Sequence, residues 1–372
     1  MKISCNREKM LAAFQTAAAV APARSPKPIL QNVKLDVTKE GATLLATDLE
    51  IGIRVQVADV AVDSPGSAVL PVSRFGSILR ENSDETLRID TTDKGTTIRG
   101  ERSKFELPAE NPDEFPTVAS FNEQSYHELP ARLLKEIIRR TVFATDNESN
   151  RYALGGVLLE MTGDKLLAVA TDGRRLAKME GAAKSTGGHE TSEITTIVPT
   201  RAMHLIDRSL SDTDPEIRIS ARGNDVLVQS ERVTIYTRLL EGRFPRWRDV
   251  FPKRTDAVRI PLSVGPFYAA VRQAAIATSE ESRGISFSFA DGTATLTGKA
   301  AEVGQSHIEL PIDYTGTALV ISLDPRYVGD FLKVLDPAKT FALELKDSDS
   351  AAVCSTDDGY GYVIMPLARD RQ

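Results

Sequence analysis

Apolar and polar residues alternate along most of this chain. VKLDV (33–37), TLRID (86–90), TTIRG (96–100), KFEL (104–107), VLLEM (157–161), EIRIS (216–220), DVLVQ (225–229), VTIYTRLL (233–240) and ISFSF (285–289) carry the period-two pattern of half-buried strands. Turn sequences such as TDKGT and ADGTA separate them. Six segments break the alternation with apolar residues at helical spacing: 7–20, 73–82, 130–145, 199–210, 264–278 and 324–335. Ser73 and Thr200 are candidate N-caps for the second and fourth. In the third, Leu133, Leu134, Ile137, Ile138 and Val142 share one face.

The spacing of these segments repeats. Helices open near residues 7, 131 and 264, and again near 73, 200 and 325. Similar lead-ins precede the second set (AVLPVSRF, TIVPTRAM, VISLDPRY), and similar strands follow the first (ILQNVKLDV, YALGGVLLEM, SRGISFSF). A period of about 122–129 residues is too long for a solenoid and predicts three copies of one domain. Their boundaries fall at Pro-bearing stretches, giving 1–120, 125–252 and 255–372. One turn is written twice, as TDLEIGIRV from Thr47 and TDGRRLAKM from Thr171; the third copy has diverged there to GKAAEVGQSHIEL (298–310). Asp48 and Asp172 lie in corresponding turns of separate copies, so they read as turn formers rather than as an acid–base pair.

Charge sharpens the picture. The chain carries a net charge of −6, yet its six helical segments hold thirteen Lys or Arg against six Asp or Glu. A basic helical face and an acidic remainder would hold a polyanion on one side and repel it elsewhere. Two cysteines make neither a disulfide framework nor a Cys-based zinc site. The opening MKISCNREKM has no apolar core of a secretion signal, and no apolar run approaches the roughly 20 residues of a membrane span. A cytoplasmic setting with no membrane partner is expected.

Repeat, basic helices and motifs together resemble the bacterial DNA sliding clamps, the beta subunits of DNA polymerase III, over essentially the whole chain. The most specific stretches are PILQNVKLDV with ATDLEIGI, VATDGRRLA, EGRFPRWRDVFP and the terminal YVIMPL. The resemblance implies an α+β fold: three tandem copies of a clamp domain, each two helices packed on antiparallel sheets, forming a ring as a head-to-tail homodimer. Helices would line the hole, and duplex DNA would thread it without being read for sequence. Arg24, Arg74, Arg80, Arg132, Lys135, Arg139, Arg201, Arg272 and Arg283 would face the DNA. Phe105 and Leu107 on one edge strand would meet Ile276 and Ala277 of the second protomer.

The resemblance also implies a groove that takes a short extended peptide carrying glutamine and large apolar residues, from the replicative polymerase, the clamp loader and repair or translesion polymerases. Matching positions are Leu154, Thr171, Gly173, Arg174, Arg175 and Leu176, then Pro245, Val250 and Tyr327, then Val363, Ile364, Met365, Pro366 and Leu367. An unbranched thioether such as Met365 suits several partners. Arg174 stands where many relatives carry histidine, Asp249 stands where a basic residue is frequent, and ARDRQ (368–372) extends past the usual end. These departures bear on which motifs the groove prefers.

No catalytic chemistry is visible. There is no G-x-x-x-x-G-K-[ST], H-E-x-x-H or G-x-S-x-G, and His127, His189, His204 and His307 show no ligand spacing. No catalytic residue, metal or cofactor is expected, and loading onto DNA would need an external ATP-driven opener. A β-rich carbohydrate-active enzyme is the runner-up, disfavoured by the supply of stacking aromatics: Trp247 and eight tyrosines. A ring-forming scaffold that never meets DNA is the third reading.

Overall fold

The structure, a computed structural model, describes residues 1–146, 153–192, 195–211, 213–252, 257–279 and 283–367. The chain groups into two compact units. Met1–Lys135, Met161–Asp164 and Ala183–Leu240 make the first; Glu136–Glu160, Lys165–Ala182 and Glu241–Gln372 make the second. Among the described residues there are seven helices: α1 (Arg7–Ala18), α2 (Val72–Glu81), α3 (Ala131–Thr141), α4 (Thr200–Ser209), α5 (Trp247–Val250), α6 (Val264–Ala274) and α7 (Pro325–Lys333). Six lie where helical spacing puts them. The seventh, α5, is a single turn, too short to leave a periodic signature.

The first unit holds two antiparallel sheets. One runs Val60–Ser64, Lys2–Asn6, Thr86–Thr92, Gly95–Arg99, Lys104–Pro108, so 104–108 is an edge. The other has nine strands, from Lys184–Thr186 through Tyr126–Leu129, Ile217–Arg222, Asp225–Gln229, Val233–Arg238, Ile51–Val57, Ala42–Thr47 and Asn32–Val37 to Gly66–Pro71. Helix α1 buries Met10, Ala13, Phe14 and Ala17, and Phe14 meets Phe75 of α2 edge to face at 4.9 Å. Asn6 caps α1 by accepting the Lys9 N–H.

The expected caps of α2 and α4 are corrected. The caps lie two residues and one residue earlier than expected: Pro71 and Pro199 occupy the N-cap, and Ser73 and Thr200 are already helical. A strand runs directly into each proline, whose fixed φ presets the turn into the helix.

In the second unit the larger sheet runs Gly156–Thr162, Lys165–Thr171, Arg175–Ala182, Tyr360–Ile364, Ala352–Ser355, Thr340–Leu345, Val258–Ser263. A four-stranded sheet runs Gly304–Pro311, Thr293–Ala300, Ile285–Ala290, Leu319–Leu323 and leaves the eight-residue strand 304–311 as an edge. Phe331 of α7 stacks on Tyr360 and Tyr362 at 5.4 and 5.2 Å and meets Phe341 edge on at 5.3 Å, fixing α7 to one face of the larger sheet. Burial raises the Tyr360 and Tyr362 phenols well above their usual range, so both stay neutral in that core.

Candidate functional site

The two Thr-Asp turns are built from the same bonds. In the first, Thr47 Oγ1 donates to the Ile51 carbonyl at 2.8 Å and accepts the Leu49 N–H at 3.0 Å, while Asp48 Oδ1 accepts the Glu50 and Ile51 N–H groups at 3.0 and 2.7 Å. In the second, Thr171 Oγ1 donates to the Arg175 carbonyl at 2.6 Å and accepts the Gly173 N–H at 3.1 Å, while Asp172 Oδ1 accepts the Arg174 and Arg175 N–H groups, both at 2.9 Å. The third residue has positive φ in each: +80° at Leu49 and +85° at Gly173. Glycine accepts that conformation freely; leucine there is strained.

Each turn leads a strand that pairs antiparallel with another: 51–57 with 233–238 in the first unit, 175–182 with 360–364 in the second. The ladder ends alike. Arg238 N–H donates to the Glu50 carbonyl at 3.0 Å, and Met365 N–H donates to the Arg174 carbonyl at 2.9 Å. The side chains at these matching places differ. Glu50 and Arg238 form an exposed ion pair at 3.7 Å. Arg174 is exposed beside Met365, which is 44% exposed.

The strand pairing divides the expected groove residues between two faces. Leu176 faces Val363 across the ladder, and Lys178 faces Gly361, on the side that the segment 241–252 crosses. That crossing is fixed by Trp247 Nε1 donating to Glu160 at 3.3 Å, by Arg248 paired with Glu160 at 2.5 Å, and by Lys178 Nζ 4.3 Å from the Phe251 ring centre. Leu176 and Val363 are buried on that face and Leu154 is buried as well, whereas Val250 is 47% and Met365 44% exposed. Pro366 and Leu367 are half-buried, and Leu367 N–H donates to the Ser322 carbonyl at 2.9 Å.

Arg175, Ile364 and Tyr327 lie on the other, helical face. Arg175 bonds Asp172 at 3.0 Å, Asp330 of α7 at 2.5 Å and the Phe143 carbonyl at 2.7 Å, with its guanidinium 4.6 Å from the Tyr327 ring centre. Burial opposes its charge, and Tyr362, Asp330 and Asp172 more than restore it, so its pKa is raised. Arg175 therefore clamps the turn onto α7 rather than lining an open wall. The tail 368–372 lies outside the described residues.

Of the residues expected to face DNA, Arg24, Arg74, Arg80, Arg132, Arg139, Arg201, Arg272 and Arg283 are exposed, and Lys135 is half-buried with its ammonium on the Leu210 carbonyl at 3.1 Å. Arg201 pairs with Asp48, at the first turn. Two other helical cations are turned inward. Arg7 donates to the Leu79 and Asp84 carbonyls, and buried Arg140 pairs with Glu136 at 2.6 Å and Asp358 at 2.8 Å. The basic helical surface is correspondingly smaller than the sequence suggests.

At the expected dimer positions, Leu107 and Ala277 are buried in their own units, whereas Phe105 is 37% and Ile276 76% exposed. Phe105 ends the row Ile3, Ile89, Ile98, Phe105 on the core face of the five-stranded sheet. Sequence spacing missed one cluster: His127 and His189, 62 residues apart, are in contact inside the first unit. No group of three or more His, Cys, Asp or Glu among the described residues could hold a metal. None of the described helices is long and apolar enough to cross a membrane.

Comparisons agree with this architecture along its whole length. The N-terminal, central and C-terminal domain models of the DNA polymerase III beta subunit match residues 1–119, 128–246 and 248–368. A beta sliding clamp of Pseudomonas putida is 30% identical over 377 residues, covering 99% of this chain and 100% of that protein. One of Chlamydia pneumoniae is 29% identical, covering 99% of both. Among solved structures, a Pseudomonas aeruginosa sliding clamp bound to griselimycin superposes with a TM-score of 0.92 at 27% identity, covering 99% of this chain and 100% of that one. With the three domain models matched in order, this chain belongs to the DNA polymerase III beta subunit family, the sliding clamps that serve as non-catalytic processivity factors of the polymerase.

Proposed function

We propose that two copies of this chain close into a ring around duplex DNA, and that the face beside the second Thr-Asp turn captures extended peptides of the replicative polymerase, the clamp loader and other polymerases. The observation that carries the peptide site is the contrast between the two turns. On one scaffold the first presents the Glu50–Arg238 ion pair, and the second presents the exposed Met365. Apolar anchors dock where apolar surface is left uncovered, and Arg174 adds a cation at the rim. The exposed arginines of the helical segments suit phosphate contacts that hold DNA without reading it.

Ring closure would pair two of the edge strands, 104–108 of one copy and 304–311 of the other. The nine-stranded sheet supplies a template for their register. Across it one row runs Glu128, Arg218, Gln229, Thr234, Arg54, Leu45, Lys34. Ser4 precedes α1 by the same three residues as Glu128 precedes α3, and its row runs Ser4, Arg88, Arg99, Lys104. Ser286 occupies in ISFSF the place of Lys34 in VKLDV, and its row runs Ser286, Thr297, His307. Joining the half-rows sets Lys104 opposite His307 and Glu106 opposite Gln305 of the second copy.

Two experiments test this. A labelled peptide with glutamine and large apolar residues should bind the intact chain and lose binding when residues 365–367 are deleted, with the dimer retained; unchanged binding would remove the groove. Glu106→Cys with Gln305→Cys should cross-link between copies under oxidation, against a low background because Cys5 and Cys354 are buried. Cross-linking of Glu106→Cys to His307→Cys instead would shift the register, and no dimer at all would remove the ring.

A further inference from the structure

His127 and His189 form a closed hydrogen-bond chain inside the first unit. His189 Nε2 lies 3.0 Å from the Ala221 N and 3.4 Å from the Ala221 carbonyl oxygen; the shorter contact has the N–H donating to Nε2, which assigns the His189 proton to Nδ1. That Nδ1 lies 2.7 Å from His127 Nδ1, which must accept. His127 Nε2 then carries the remaining proton and donates to the Gly163 carbonyl at 2.7 Å. All four ring nitrogens are used, and each ring is neutral. Both side chains are buried.

The chain ties together four segments distant in sequence. His127 sits on strand 126–129, and the edge strand Lys184–Thr186 pairs with that strand, with Ser185 opposite His127. Gly163 belongs to a hairpin turn, and Ala221 to strand 217–222. Thr191, just past His189, accepts the Met161 N–H at 2.8 Å. The segment 184–191 therefore covers the edge of the nine-stranded sheet, and the paired rings are its polar fastening.

We propose that this histidine pair is an acid-sensitive latch: one added proton is poorly accommodated, so its uptake releases segment 184–191 and leaves strand 126–129 as the new sheet edge. A proton on His127 Nδ1 would set two N–H donors against each other at 2.7 Å, and one on His189 Nε2 would oppose the Ala221 N–H at 3.0 Å, with the Ala221 carbonyl at 3.4 Å a poor substitute acceptor. Charged groups on the packed elements offer no relief. Glu128 is on the opposite face of its strand and pairs with Arg218 at 3.2 Å. Asp164 accepts the Ser185 N–H, Arg222 pairs with Glu123 and Asp225, and Lys184 and Glu190 are exposed. Among the described residues no carboxylate bonds either ring.

Burial, and then the neighbouring His127, hold His189 below the usual imidazole range. A lowered folded-state pKa gives stability that is complete above the ordinary imidazole value, about 6.5, and is lost as pH falls below it. Opening that takes up one proton should accelerate roughly tenfold for each pH unit in that window.

The test uses the intact chain with 15N-labelled histidine, read by imidazole NMR from pH 8 to 5, alongside amide exchange at 184–191 corrected for intrinsic pH dependence. The buried pair should show one Nε2–H and one Nδ1–H ring, and His189 should stay neutral below about 6.5 and take up its proton together with faster exchange at 184–191. Glutamine can accept from Ala221 and donate to His127 without titrating, so His189→Gln should flatten the pH dependence while the segment stays protected at pH 7.5. A His189 ring already charged at about pH 6.5, or its protonation with no change in exchange, would overturn the latch.

Discussion

At Thr47 and at Thr171 the backbone is held by the same four side-chain bonds, yet the two places present different surfaces. Beside the first, Gly52 lets Val118 pack so closely that an added Cβ would lie 2.9 Å from its Cγ1. Leu176 takes the matching register position beside the second, opposite Thr171 as Gly52 is opposite Thr47. The first turn keeps Leu49, 41% exposed, in a conformation that suits glycine, and binds Asp48 to Arg201. The second has glycine, spends its aspartate on Arg175, and leaves Met365 and Val250 uncovered. One scaffold thus yields a charged, packed junction and an apolar, accessible one. On the proposed function, a change of a few side chains, not of the backbone, separates a structural turn from a docking site.

The comparison can be broken by exchange. Arg174→Glu with Met365→Arg writes the Glu50–Arg238 pair into the second turn. Peptide affinity should fall roughly a hundredfold, about 2.7 kcal/mol, because an apolar anchor would meet a charged pair. Removing the Arg175 clamp should unfold rather than merely unbind. Arg175→Ala leaves Asp172 and Asp330 without their cation and should cost about 3 kcal/mol in denaturant unfolding.

Smaller substitutions sharpen the point. Asp48→Ala and Asp172→Ala each remove the carboxylate oxygen that accepts two backbone N–H groups and should cost about 1–2 kcal/mol. The Asp172 variant should lose more, since its partner Arg175 is largely buried whereas Arg201, the partner of Asp48, is exposed. Leu49→Gly should leave stability unchanged or raise it by up to about 1 kcal/mol, relief of the left-handed strain being partly offset by unfolded-state entropy. Gly173→Ala should cost about 1 kcal/mol at the same φ, although nothing crowds a Cβ there. Equal and opposite responses at the two sites would support a common backbone; a stabilised Gly173→Ala would contradict it.

Much of this was legible beforehand because alternation and helical spacing are local. Segment 7–20 contains α1, and DVLVQ is a strand end to end. Residue chemistry across a fold is not local. Arg7 and Arg140 count as surface cations in any composition, but tertiary packing turns them inward. Arg175 and Leu176 are neighbours in one motif, yet strand alternation sends them to opposite faces. His127 and His189 meet only because strand 126–129 and the segment after strand 184–186 lie side by side, a matter of register that no spacing rule reports.

The central claim is that this chain holds DNA by topology. The most direct measurement loads it onto nicked circular DNA with a clamp loader, separates bound from free protein on a sizing column in moderate salt, then linearises the circle and repeats. Retention on the circle with loss from the linear form is the expected result. Equal retention on both, or none on either, would contradict encirclement and leave the exposed arginines as ordinary surface charge.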